Sequence, residues 1–127
     1  DCSDNFTTRQ LVNELCIQHH VPLVSGSAIR FDGQVSVFDH RKDNSPCYAC
    51  IFPKDQSFDE VKCSTMGVFS PLVGIIGTMQ AAQALQIIMD IGQTLNGRLL
   101  LWDAHSTEIN QIQINKQHNC SVCSIKN

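Results

Sequence analysis

Neither GxGxxG nor GxxxxGK[ST] occurs in these 127 residues. The glycine-rich loop that cradles nucleotide phosphates is therefore missing, and the chain is not expected to bind ATP alone. Positive charge is also scarce: nine Lys and Arg stand against twelve Asp and Glu, a net charge of −3, which gives no electrostatic reason to expect nucleic acid as a partner. No apolar run is clean enough to read as a membrane span. The most apolar stretch, residues 71–91, is interrupted by Gln80, Gln83, Gln86 and Asp90, which a spanning helix of about 20 residues tolerates poorly; it is expected to be a core helix. No signal peptide is visible, so no oxidising compartment is indicated and a cytoplasmic location is expected. There is no initiator Met, and the opening Asp1-Cys2-Ser3-Asp4-Asn5 reads like the turn after a strand, so the chain is expected to begin within a domain. Internal repeats and low-complexity segments are absent.

What is there is a soluble, one-domain composition, 43% hydrophobic and 17% charged, with seven cysteines. Four of them form matched pairs, Cys47-Tyr48-Ala49-Cys50 and Cys120-Ser121-Val122-Cys123. Each CxxC can place two thiolates on one ion from a single tight turn. Two such pairs complete a closed four-sulfur shell with no open position for water, the mark of a structural zinc site. Two other uses compete. A redox dithiol normally involves one motif at a helix start beside a βαβ pattern, a context that both pairs lack. Disulfides sit poorly with an odd number of cysteines and no sign of export. The 69 residues between Cys50 and Cys120 exceed a self-contained zinc ribbon, so the fold must bring the pairs together, and a metal would staple the chain's end to its middle.

Hydrophobic spacing outlines the elements. Asn5 or Thr7 can cap a helix running to about His19, with Leu11, Val12, Leu15 and Cys16 on its packing face. Residues 21–28 read as a buried strand, and residues 34–38 as a second in which Val35 and Val37 alternate with polar neighbours. A polar loop over 39–45 leads into the first CxxC. Residues 53–65 form a long polar loop containing Cys63, of the kind that more often serves function than mere connection. A helix over 71–91 carries Gly74, Gly77, Ala81 and Ala84, which would let another backbone approach, and is expected to be the most buried element. Strands follow at 98–103 and 108–115, the latter with Ile112 and Ile114 on one face.

Chemistry can reside in few places. Asp4-Asn5 falls where a strand would end and a helix begin, the edge of an open α/β sheet where phosphates and metal ions collect. An Asp there can hold magnesium, although capping of the helix explains the same dipeptide. Cys2 and Cys16 read as packing residues. Cys63 has the polar neighbours Lys62, Ser64 and Thr65, and a nearby Lys favours the thiolate, so a nucleophilic role is open. His19 and His20 suit a helix C-terminus. His40, His105 and His118 form no spaced cluster.

Together these segments closely resemble the C-terminal half of the ThiF/MoeB/HesA family of sulfur-carrier adenylyltransferases, relatives of the ubiquitin-activating enzymes. The likeness rests on Asp1-Cys2-Ser3-Asp4-Asn5 with Arg9, Val21-Pro22-Leu23-Val24-Ser25-Gly26-Ser27-Ala28, Gly33-Gln34-Val35 and Pro46-Cys47-Tyr48-Ala49-Cys50. It continues through Cys63 with Gly67-Val68, Pro71-Leu72-Val73-Gly74-Ile75-Ile76-Gly77, Gln80-Ala81, Asp103-Ala104 and the terminal CxxC. The resemblance implies an α/β fold: the C-terminal half of a Rossmann-like adenylation domain, with a mixed sheet, two main helices and a structural zinc site, spanning residues 1–127. It implies that the full-length enzyme uses ATP and Mg²⁺ to adenylate the C-terminal Gly-Gly of a ubiquitin-like sulfur carrier, of the thiamine or molybdopterin type, and works as a homodimer with neither nucleic acid nor membrane as partner. By the same resemblance Asp4 is the catalytic acid that contacts magnesium and phosphate. Asn5 stands beside it in the cofactor site, Cys63 aligns with a cysteine that forms a covalent thio-linkage in some members, and Cys47, Cys50, Cys120 and Cys123 hold zinc. Three positions depart from the pattern: Ala49 replaces a common Arg, and Gln83 and Gln86 stand where Glu and Lys are common. The glycine-rich loop, the ribose-binding acid and the ATP-contacting arginines of the family lie upstream, so the chain alone is expected to be inactive. A non-enzymatic, zinc-stabilised carrier-binding module is the alternative.

Overall fold

A computed structural model of the chain describes residues 1–55 and 67–124. Helix α1 (Phe6–Gln18) begins where Asn5, in an extended conformation, accepts a hydrogen bond from Thr8 N at 2.7 Å, satisfying one of the amide donors that a helix start leaves free. Strands β1 (Leu23–Ile29) and β2 (Asp32–Phe38) form a hairpin, followed by the short helix α2 (Tyr48–Ile51) and the long helix α3 (Ser70–Met89). A second hairpin, β3 (Arg98–Asp103) and β4 (Glu108–Gln113), closes the order of elements.

The four strands make one sheet in the order β1-β2-β3-β4 with every pairing antiparallel, so the expected mixed sheet is corrected among the described residues. Short turns at Arg30-Phe31 and Ala104–Thr107 leave each hairpin no other choice, because parallel neighbours need a crossover of a dozen or more residues. Parallel pairing survives only as two isolated bridges, Arg30 to Val68 and Val37 to Asn96. The outer edge of β1 is not bare: Asp1 N donates to Val24 O at 2.7 Å and Gly26 N donates to Asp1 O at 3.2 Å. The opening residues thus run beside β1 like an added strand.

Alternation along the strands gives the sheet two covered faces. On one, Val35, Val37 and Leu100 pack with Leu72 and Ile76 of α3 and with Leu95. On the other, Leu23 and Phe38 pack with Tyr48, Phe6, Val12 and Cys16 of the first two helices. The seating of α3 depends on glycines in the strands rather than in the helix. A Cβ on Gly33 would lie 2.6 Å from Ile76 Cδ1, and one on Gly26 would overlap the Gln80 side chain, whereas at Gly74 and Gly77 the space is open.

Two expectations about burial are therefore corrected. Helix α3 is not the most buried element: Leu72, Ile76 and Gln80 face the sheet, while Val73, Leu85, Ile88 and Met89 are exposed. It is apolar all round, but only one side has something to pack on within the described residues. Its 20 residues and mean hydropathy of 1.5 would suffice to cross a bilayer by length and composition; here it lies along the sheet. On α1, Leu11 and Leu15 are exposed, and the two buried residues are Gln10 and Asn13. Val12 and Cys16 of the predicted stripe do pack on the Leu23, Phe38 and Tyr48 cluster, while Gln10 and Asn13 are buried because they bond the backbone at the two ends of α2.

Candidate functional site

The first CxxC wraps the start of α2: Cys47 sits extended just before the helix and Cys50 lies within it. Cys47 N donates to Cys50 Sγ at 3.4 Å, and Cys50 N to Cys47 O at 3.0 Å. The second pair occupies a turn closed by Ser124 N to Cys120 O at 3.3 Å and reaches the first through Gln117 N, which donates to Cys50 Sγ at 3.5 Å. The fold brings all four sulfurs together. Cys47 and Cys120 are 3.7 Å apart, Cys50 and Cys123 3.5 Å, and Cys47 and Cys50 3.9 Å, and all four lie within 4.8 Å of one another.

These distances separate a metal cluster from formed disulfides. A disulfide needs sulfurs about 2.05 Å apart, and none of the measured separations approaches that. A tetrahedral ion with metal–sulfur bonds of about 2.3 Å has sulfur–sulfur edges of about 3.8 Å, close to the spacings here. The protonation balance fits the same occupant. The hydrogen bond shared with Cys47 brings the Cys50 thiol down to about 4, while burial pushes Cys123 up to about 12 and the Cys47 thiol is raised chiefly by its hydrogen bond with Cys50. Thiols crowded this closely oppose one another's ionisation, and a divalent cation would supply the charge that lets all four ionise. Cys47 and Cys120 are buried and Cys50 and Cys123 partly so, and four sulfurs would fill a tetrahedral shell without an open coordination position. The residues fit a structural metal.

The second candidate region is the segment before α1. Asn5 Oδ1 is committed to capping, but Asp4 is exposed and makes no hydrogen bond among the described residues. Its surroundings are fastened rather than loose. Arg9 donates from Nη1 to Gly26 O at 3.1 Å and from Nη2 to Ser3 O, and Gln80 Nε2 donates to Asp1 O at 2.8 Å. A carboxylate is thereby presented at the N-terminus of α1 by a segment tied to both β1 and α3.

Among the remaining cysteines, Cys16 packs against the Leu23, Phe38 and Tyr48 cluster as expected, but Cys2 is exposed, with Sγ 3.6 Å from Gln80 Oε1; its reading as a packing residue is corrected. Cys63 lies outside the described residues. Sequence reasoning missed Gln10, Asn13 and Gln80, all buried amides with backbone partners. Hydrophobic periodicity carried no signal for them, because their partners are backbone groups of distant segments.

Comparisons with known proteins agree with this geometry. Over 125 residues the chain is 43% identical to the "Adenylyltransferase and sulfurtransferase MOCS3" of Caenorhabditis briggsae, a match covering 97% of this chain and 31% of that protein. Over 126 residues it is 44% identical to the protein of the same description from Drosophila grimshawi, covering 98% and 28%. The chain thus spans less than a third of the length of these relatives. Among solved structures, E. coli MccB with ATP superposes with a TM-score of 0.76 at 16% identity, over 98% of this chain and 39% of that one, which shows a shared fold. Residues 1–122 match the model of the ThiF family, and the chain belongs to that family.

Proposed function

We propose that the chain, over residues 1–127, is the C-terminal part of a Rossmann-like adenylation domain in an ATP-dependent adenylyltransferase that activates the C-terminal Gly-Gly of a ubiquitin-like sulfur carrier. The observation that carries the reading is the 43–44% identity, along nearly the whole chain, to adenylyltransferase and sulfurtransferase relatives about three times its length. In this reading the four cysteines hold zinc as a scaffold, and Asp4 is the residue of this chain nearest the chemistry. A carboxylate attacking an α-phosphate meets like charge, and magnesium held by hard oxygen ligands neutralises it. Asp4 offers such an oxygen; Arg9 and Gln80 keep its backbone in place, and Asn5 fixes the start of the helix behind it. Cys63 is proposed as the site of a thio-linkage, to the carrier or to persulfide sulfur. The enzyme is proposed to be a cytoplasmic homodimer.

The glycine-rich loop is not among these residues, so the isolated 127-residue chain is expected to be inactive. The test is ATP–pyrophosphate exchange by the full-length polypeptide against a panel of Gly-Gly carriers, beside the isolated chain. Exchange is expected from the first and none from the second; activity of the isolated chain would overturn the incomplete-site reading. A full-length protein that binds a carrier without exchange would establish the non-enzymatic carrier-binding module instead.

A further inference from the structure

The buried amides of α1 clamp α2 at both ends. Asn13 Oδ1 accepts from Tyr48 N, the first residue of α2, at 3.0 Å, and Gln10 Nε2 donates to Phe52 O, just past its last residue, at 2.6 Å. These bonds fix the orientation of each amide and leave one atom spare on each: Nδ2 of Asn13 and Oε1 of Gln10, both buried and without a hydrogen-bond partner among the described residues. An orphaned buried donor is costly, and Asn13 is only 1% exposed, so water does not readily offset that cost. Tyr48 directly follows Cys47, so the bond from Tyr48 N to Asn13 Oδ1 at 3.0 Å holds this amide at the residue boundary that bears the Cys47 sulfur. A thiol is a weak acceptor, whereas a metal-bound thiolate is a charged one that outer groups commonly bond.

We propose that Asn13 is a positioning residue of the metal centre: its Nδ2 donates to Cys47 Sγ when that sulfur is a metal-bound thiolate, while its Oδ1 holds the N-terminus of α2. This rests on the reading that the four cysteines hold a metal. Gln10 cannot do the same, because its spare atom is an acceptor that would repel a thiolate. The bond ties the metal to the middle of α1, eight residues or about 12 Å along the helix from Asn5. The metal centre thereby braces the helix whose start presents Asp4.

The test uses the protein loaded with cadmium-113 and labelled with nitrogen-15, in which a proton hydrogen-bonded to a ligand sulfur shows scalar coupling to the metal. Cross-peaks to cadmium are expected from the Asn13 side-chain amide, beside those from the backbone amides of Cys47 and Gln117, which already face Cys50 Sγ at 3.4 and 3.5 Å. Backbone cross-peaks without the Asn13 one would overturn the proposal; failure to bind cadmium at all would overturn the metal reading beneath it. A second measurement is metal affinity by chelator competition. Asn13→Asp keeps the acceptor for Tyr48 N but loses the donor, and Asn13→Ala loses the donor without adding charge. Both are expected to weaken binding about 10–100-fold. Weakening by the Asp variant alone would assign the effect to charge repulsion and, like unchanged affinity in both, would count against the bond.

Discussion

Asp39 shows what one buried carboxylate does for the site's surroundings. Its side chain is 2% exposed and accepts from Arg41 Nε and Nη2, each at 2.9 Å. Its backbone nitrogen donates to Asn96 Oδ1, and Asn96 Nδ2 in turn reaches Ser45 Oγ, so the polar loop before Cys47 is anchored to the turn before β3. The Arg41 guanidinium holds the Asp39 carboxyl below its ordinary value of 3.8. A lowered pKa in the folded state contributes stability that is present in full above 3.8 and lost as pH falls through the folded value. Asp39→Asn is therefore expected to melt lower than the parent at neutral pH, and the two melting curves should converge below pH 3.8; a gap that persists in acid would refute the ionic account. Asp4 presents the opposite case, an exposed acid with no partner among the described residues. Asp4→Ala in the full-length protein should cut ATP–pyrophosphate exchange on the order of a hundredfold while changing stability by no more than about 0.5 kcal/mol. A loss of activity accompanied by an equal loss of fold would mean that Asp4 is structural.

Element by element, polar residues and glycines decide how the helices sit. The sheet accepts α3 because Gly26 and Gly33 present no Cβ to it. Gln80 cannot swing aside freely, since its amide holds the carbonyl oxygens of Asp1 and Val24. Gly33→Ala is expected to destabilise by about 1–3 kcal/mol through overpacking against Ile76, whereas Gly74→Ala, facing open space on the same helix, should be neutral or stabilising by up to about 1 kcal/mol. Urea denaturation of the two variants checks the pair, and equal effects would contradict this seating. The strands were legible to within two residues from apolar runs and alternation, although β4 proves exposed along its whole length. The burial of α3 was not legible: a helix apolar on every side gives no periodicity from which to read the face that packs. Nor was the buried face of α1, where Gln10 and Asn13 serve α2 through hydrogen bonds that have no hydrophobic signature.

For the whole molecule, the four-cysteine cluster joins what the chain keeps apart. The second CxxC follows β4, the first opens α2, and 69 residues separate them, so an ion held there would close a loop through most of the fold. Structural zinc contributes about 10 kcal/mol or more, comparable with the roughly 5–15 kcal/mol that stabilises a whole domain. Chelation is accordingly expected to unfold the protein rather than merely loosen its end. Circular dichroism during chelation, together with metal analysis giving one zinc per chain and none in Cys120→Ser, tests this; a chain that stays folded without metal would reduce the cluster to a surface ornament.

The sequence by itself determined the strands, the capped start of α1, the paired cysteines and the family, because each is written in local spacing or in residues contiguous along the chain. Only the tertiary structure decided that the described sheet is wholly antiparallel, that the four sulfurs meet within reach of one ion, and that two amides of α1 grip both ends of the short helix carrying the first CxxC. Those outcomes depend on which distant segments meet, and hydrogen bonds between distant segments leave no period in a sequence.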